Sequence, residues 1–436
     1  MKRVMKKVFA AAVLACIVYS AFGVEYTIKE CVDIAVLNNK ALSQSNDKLS
    51  EAKERLKQAK GTQLPTASVG GSARYGSSTD DEIVAGISAD LAYEFFDGGL
   101  RGVSIKSAQI GVDQAEENYR RALQTLIFNV AGAYIGVIKA DALLGVSEQK
   151  IRYNEEQIEM IKARIEVGDA PQADLYPLRA TLANSNVDLL TTKNNSRTAR
   201  ITLFTYMGIG NIDDFKALPL GEVGNITVPE KDVMYSLALK NSSDVRLADM
   251  SIESSRLSLR STEISQSPIP TITGKVSQPL YNYNGGGATS YDTTYEISVG
   301  ASWSFFTGGS NEAKVKEKKI SLGSLTTAKE EVLETLSYDL DKDYLDIAYA
   351  YEKINAAREG VTAARTNFDA QNEMYKNGLA TAIDLQNASI SLATAENNLV
   401  TAQNDFWLSY LAIYHTVGLI DDDLNNNTLL REYNGE

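Results

Sequence analysis

The sequence predicts an α+β membrane protein built twice over, each half carrying bilayer-length strands and a hairpin of long antiparallel helices. Three observations carry this reading. The chain repeats itself at a fixed spacing, the hydrophobic period of each half changes from 3.6 to 2, and two proline-free runs of equal length follow the strands.

Residues 1–23 read as a secretory leader, with Lys2, Arg3, Lys6 and Lys7 at a basic start, an apolar stretch from Val8 to Tyr19, and Ala21-Phe22-Gly23 before a cut at Val24. The mature chain is expected to be exported. Cys16, after Val13-Leu14-Ala15, is a competing lipid-acceptor position, but the apolar stretch runs on past it. The full chain has a net charge of −13, and losing the leader makes it more acidic, which argues against nucleic acid or anionic lipid as the main partner. Cys31, the one cysteine after the leader, excludes an internal disulfide. Beyond the leader no run approaches ~18 consecutive apolar residues, so membrane contact falls to β-strands.

The duplication is read from short matches. Phe95-Phe96-Asp97-Gly98-Gly99 returns 210 residues later as Phe305-Phe306-Thr307-Gly308-Gly309, and Val167-Gly168, Asp174-Leu175 and Met207-Gly208 return at the same offset as Asn377-Gly378, Asp384-Leu385 and Val417-Gly418. Upstream the match is looser, with Ala35 to Asn38 resembling Ala238 to Asn241, and Pro65 resembling Pro268 and Pro270. The domains are therefore set at 1–23 for the leader, 24–208 and 226–418 for the two repeats, 209–225 for a linker and 419–436 for a tail.

Each half should open with helix. Ile34, Leu37, Leu49, Ala52, Leu56 and Ala59 recur at helical steps, apart from a gap around Asn38 and Asn39, until Pro65 ends the segment. Alternation follows: Ile83, Ala85, Ile87, Ala89, Leu91, Tyr93 and Phe95 share one face, as Tyr295, Ile297, Val299, Ala301, Trp303 and Phe305 do in the second half. Weaker partner strands precede them near Ala67 to Tyr75 and Ile272 to Leu280, joined through loops that include Gly285-Gly286-Gly287. Alternation alone also suits a soluble β-sandwich. Strands of ~11 to 13 residues ending in aromatic residues suit a bilayer better, and four strands are too few to close a barrel, so oligomerisation is implied.

The run from Gly99 to Val167, and its equal from Gly309 to Asn377, would make helices ~100 Å long, which need lateral partners along seams such as Tyr119, Leu123, Leu126, Val130, Ala133 and Val137. Gly168 and Gly378 then stop the helices, and Asp169-Ala170-Pro171 suits the start of a return helix.

At these glycine-aspartate hairpins and at the two Phe-Phe-x-Gly-Gly motifs the sequence resembles the TolC family of outer-membrane efflux proteins, from Tyr26 to about Gly418. The resemblance implies a homotrimer whose long antiparallel α-helical barrel is continuous with a 12-stranded outer-membrane β-barrel, four strands per chain. It implies a passive duct without cofactors, spanning into the periplasm, where hairpin tips at Val167, Gly168, Asp169, Asn377, Gly378 and Leu379 meet an adaptor protein and, through it, an inner-membrane transporter. Residues 208 to 229 and 418 to 436 would form an equatorial belt.

Candidate site residues lie at the tips. Asp174 and Asp384 each follow a helix-stopping glycine by six residues, where a carboxylate serves a helix start. The resemblance implies a second role, with Asp384 lining a narrow periplasmic entrance as a ring of three. Asn387 stands one turn later, where the family pattern often has another acid. Tyr375 resembles a position that helps close the tip, with Asp174 its expected hydrogen-bond partner, and Ala380 replaces a basic residue found in some members. Enzyme chemistry is not expected: His415 is the only histidine, Cys31 sits on an apolar helical segment, and the acids at Asp213-Asp214 and Asp421 to Asp423 lie in loop-like sequence. A periplasmic coiled-coil adaptor would share the helical hairpins but would not need duplicated strands of bilayer length.

Overall fold

The structure is a computed structural model and describes residues 25–76, 82–212, 214–221, 223, 230–267, 269–284, 288–290, 295–303 and 308–420. The leader with Cys16, Asp213, the Gly285-Gly286-Gly287 loop, Phe305-Phe306-Thr307 and Asp421 to Asp423 lie outside the described residues. In chain order the first repeat reads β1 (Glu25–Tyr26), α1 (Ile28–Asn38), α2 (Lys40–Gly61), β2 (Thr66–Gly76), β3 (Glu82–Phe96), α3 (Leu100–Glu166) and α4 (Leu175–Met207). After β4 (Lys216–Ala217) the second reads α5 (Lys231–Asn241), α6 (Ser243–Gln266), β5 (Thr271–Asn284), β6 (Ala288–Ser290), β7 (Glu296–Ser302), α7 (Ser310–Lys376) and α8 (Ala382–Val417). Both α3 and α7 have 67 residues.

The chain forms two compact units, and each draws on both sequence repeats. One, made of Ser45–Tyr119 and Ser243–Leu333, holds the strands. They form one antiparallel sheet in the order β2-β3-β5, with β6 and β7 both paired to β5. Register places Ala67, Leu91, Val276 and Ile297 side by side across the sheet. The apolar face stays open within the chain: Val69, Leu91, Ile297 and Val299 are all exposed. On the other face, Asp90 accepts from the Ser277 hydroxyl at 2.6 Å and from the Lys275 ammonium at 2.9 Å. A register shift skips Leu280 and sets Tyr281 and Tyr283 opposite Ile87 and Ala85, which keeps these aromatic rings on the apolar face. Gly274 lies directly beneath the Phe95 ring, which a Cβ there would push aside.

Glycines and an acid join β3 to α3. Gly98 and Gly99 take left-handed geometry, and Asp97 accepts from the amides of Gly99 (2.9 Å) and Arg101 (2.6 Å), capping the helix start.

The other unit contains the described parts of Met1–Gln44, Arg120–Ser242 and Glu334–Glu436. Thr27 and Glu30 form a reciprocal capping box at the start of α1, and Asn39, in extended conformation, separates α1 from α2. Ser242, also extended, separates α5 from α6 in the same way. Both breaks receive a helix end. Gly208, at the C-terminus of α4, is left-handed, and a Cβ there would stand 2.6 Å from the Asn38 carbonyl oxygen; Gly418, closing α8, would meet the Asn241 carbonyl at 2.6 Å. The described linker residues pair β4 with β1 in parallel, and the buried Tyr134 hydroxyl lies 2.6 Å from the Tyr26 carbonyl and 2.8 Å from that of Leu218.

Helix α3 contains an 18-residue stretch apolar enough by composition to cross a membrane, although its apolar residues are not consecutive. Leu126, Ile127, Val130, Ala131, Tyr134, Ile135 and Val137 are buried, so core packing takes up part of that apolar character. Cys31 is fully buried, which pushes its thiol up to about 12, and the His415 ring, in the last turn of α8, lies 4.8 Å from that of Phe128 and tilted against it.

Candidate functional site

The two hairpin tips lie in the same compact unit and close their backbones alike. Gly168 and Gly378 have φ of 78° and 72°. In the first tip the Gly168 amide donates to Ile165 and that of Asp169 to Arg164; in the second Gly378 donates to Tyr375 and Leu379 to Met374. This is the paired bonding of a left-handed helix terminus. Val167 and Leu379 are highly exposed beside these glycines, as are Asp169 and Asn377.

The return helices start differently. After Gly378, Thr381 caps α8: its hydroxyl accepts from the Asp384 amide at 3.2 Å, while the Asp384 carboxylate accepts from the Thr381 amide at 3.0 Å and hydroxyl at 2.6 Å. The Thr381 hydroxyl, and then its amide, hold the Asp384 carboxyl below its ordinary range. Asp384 and Asn387 are both exposed, one turn apart on α8. After Gly168 the α-helix begins later than Asp169-Ala170-Pro171 suggests. Pro171 is extended and opens a short 3-10 turn, Gln172–Asp174, so α4 starts at Leu175. Asp174 makes no side-chain capping bond.

At Tyr375 the expected hydrogen bond to Asp174 is not made. Tyr375 is 2% exposed, packed in a cluster with Ile158, Ile161, Leu175, Leu178 and Leu385, and its hydroxyl has no hydrogen-bond partner among the described residues. Arg164 makes the contact instead. Its guanidinium lies over the Tyr375 ring at 5.2 Å, one nitrogen reaches the Tyr375 carbonyl at 3.3 Å, and the fork pairs with Asp169 at 2.9 Å. Burial raises the Tyr375 hydroxyl above its ordinary range, against the pull of Arg164. Arg164 was not singled out from sequence, although a signal existed: its counterpart 210 residues on is Met374. The side chains of Gln386 and Thr181 are also hydrogen-bonded, joining α8 to α4.

Comparison with known proteins agrees with this architecture. A family model described as outer membrane efflux protein matches residues 31–209 and 234–419. The outer membrane efflux protein BepC of Brucella suis is 23% identical over 96% of this chain and 91% of its own length. The outer membrane protein TolC of Escherichia coli is 22% identical over 94% of this chain and 86% of its own. Among solved structures, CusC superposes with a TM-score of 0.79 at 14% identity, covering 91% of this chain and 92% of the other.

Proposed function

The chain belongs to the outer membrane efflux protein family, and on that premise we propose that it is a passive homotrimeric duct for efflux or type I secretion. In this reading it receives substrates from an inner-membrane transporter by way of a periplasmic adaptor and carries them across the periplasm and outer membrane. The observation that supports it most is the open sheet. Among the described residues the outer edges of β2 and β7 have no strand partner, while the apolar face is exposed. β6 and β7 pair with the same edge of β5 and count as one barrel strand. Open edges are not tolerated in lipid, and three copies of four strands give an even-numbered barrel of 12. Exposed apolar residues at helical spacing, Val187, Leu190 and Ile201 on α4 and Tyr338, Leu345 and Tyr349 on α7, would then face neighbouring subunits. Exposed Val167 and Leu379 at the tips offer apolar contacts to an adaptor.

Cross-linking in outer membranes should stop at three subunits and yield a heat-resistant trimer. An inserted monomer that retains channel conductance would overturn the assembly.

A further inference from the structure

Where the helices meet the strands, charge runs against the sign of the whole chain. Thr66 lies opposite Ala92, Phe96 opposite Ile272 and Thr271 opposite Ser302, so α2, α3, α6 and α7 all meet the sheet at one end. The ten residues of each helix nearest the sheet, 52–61, 100–109, 257–266 and 310–319, carry eleven Lys or Arg against four Asp or Glu. The next ten of each, 42–51, 110–119, 247–256 and 320–329, carry three against seven. A chain of net charge −13 therefore has a basic collar beside its strands, and the sign reverses about 15 Å further along the helices. All four basic segments belong to the strand-bearing unit.

Much of this charge is unspent. Lys60, Lys106, Lys314, Lys316 and Lys319 are exposed and have no ionic partner among the described residues. Arg101 marks the side on which the collar meets the bilayer, because its guanidinium lies 5.8 Å from the centre of the Tyr93 ring, and Tyr93 shares the apolar face with Leu91 and Phe95. Exposed Phe95 and Trp303 end that face at the same level. Aromatic rings with Lys and Arg just beyond them are the side chains that suit a membrane–water interface. An ammonium there is attracted by anionic headgroups over about a Debye length, ~10 Å at 0.1 M salt, which is shorter than the collar is tall. We propose that the collar selects anionic phospholipid headgroups, over zwitterionic ones, in the leaflet around the helix end of the sheet. It requires that the sheet lie in the membrane, and not that the chain conduct.

The test places the full-length protein in phosphatidylcholine vesicles containing a trace of spin-labelled phosphatidylglycerol or spin-labelled phosphatidylcholine. The immobilised fraction of each label gives their relative affinity for the protein surface. Wild type should prefer the anionic label about fivefold at 0.02 M salt and less than about twofold at 0.5 M. Lys314→Gln/Lys316→Gln/Lys319→Gln and Lys60→Gln/Lys106→Gln should each cut the low-salt preference roughly by half. Lys48→Gln/Lys329→Gln removes as much charge as the second of these from the next segments along the helices, and should leave the preference unchanged. No preference in wild type would overturn the assignment, as it would if the collar instead faced the tunnel or bound acidic peptidoglycan. An equal loss in Lys48→Gln/Lys329→Gln would overturn it too, by reducing the effect to overall charge. A preference that behaves as expected in a protein without channel conductance would sink the duct reading and leave the collar standing.

Discussion

The two hairpin tips share a backbone and differ in nearly every side chain that acts on it. Both follow a 67-residue helix, both turn through a left-handed glycine, and both close with the same pair of amide bonds. The second tip is self-contained, because Thr381 and Asp384 satisfy each other. The first reaches across: Arg164 spends its charge on Asp169 and its flat face on Tyr375 of the other hairpin. Duplication therefore preserved what the chain needs in order to turn, and left free what decides how firmly the two turns are held together.

The largest effect should appear where the halves are alike. Gly208 and Gly418 are both left-handed and both closed off at 2.6 Å by the carbonyl of a helix break. Alanine at either position combines backbone strain with a collision against backbone that cannot move aside, so each substitution should cost about 3 kcal/mol or more. Urea resistance of the purified protein would measure it. A large loss at one position and none at the other would break the claim that the two joints are equivalent.

A middle-sized effect should appear where the halves differ. Arg164→Met copies the residue that Met374 supplies in the other repeat, and it removes the cation–π contact and the partly buried ion pair, a loss of about 1–2 kcal/mol. The hairpins should separate more readily, read as a higher resting conductance. Tyr375→Phe keeps the ring under the guanidinium and deletes a hydroxyl that makes no bond to Asp174, so it should not raise conductance. If it did so as strongly as Arg164→Met, the hydroxyl would have a partner that matters, and the contrast drawn between the tips would fail.

The sequence carried the turns and strands because both depend on local rules. Gly168 and Gly378 are legible as helix ends, and the alternation from Ile83 to Phe95 falls within β3. The gap around Asn38 and Asn39 also emerged as a helix break at Asn39. What escaped was set by contacts between residues far apart in sequence. Arg164 meets Tyr375 across 211 positions, and the orphaned state of the Tyr375 hydroxyl follows from the apolar residues around it. Neither is written in a local pattern. The 3-10 turn before α4 was missed for a nearer reason, since Pro171 suits the first turn of a helix as well as the extended residue ahead of one.

The smallest structural effect, and the sharpest test of function, belongs to Asp384. Its carboxylate does two separable things: it completes the capping box with Thr381, and in the proposed trimer it would stand in a ring of three at a narrow entrance. Thr381→Ala removes the cap and keeps the charge, whereas Asp384→Asn removes the charge. If the ring acts, only Asp384→Asn should lower cation preference and weaken block by a multivalent cation added on the periplasmic side, because closely spaced carboxylates attract cations more strongly than separated surface acids do. The pH dependence follows from the lowered carboxyl. The cap's contribution to stability should be complete above the ordinary carboxylate range, shrink as pH falls through and below it, and be gone below the depressed folded value. Block should fade at higher pH than the cap alone predicts, because mutual repulsion in a ring of three opposes that depression. Single-channel recording in asymmetric salt across that range reads both. Equal block in wild type and Asp384→Asn would leave Asp384 as half of a helix cap, and would move the search for selectivity to other inward-facing residues of the duct.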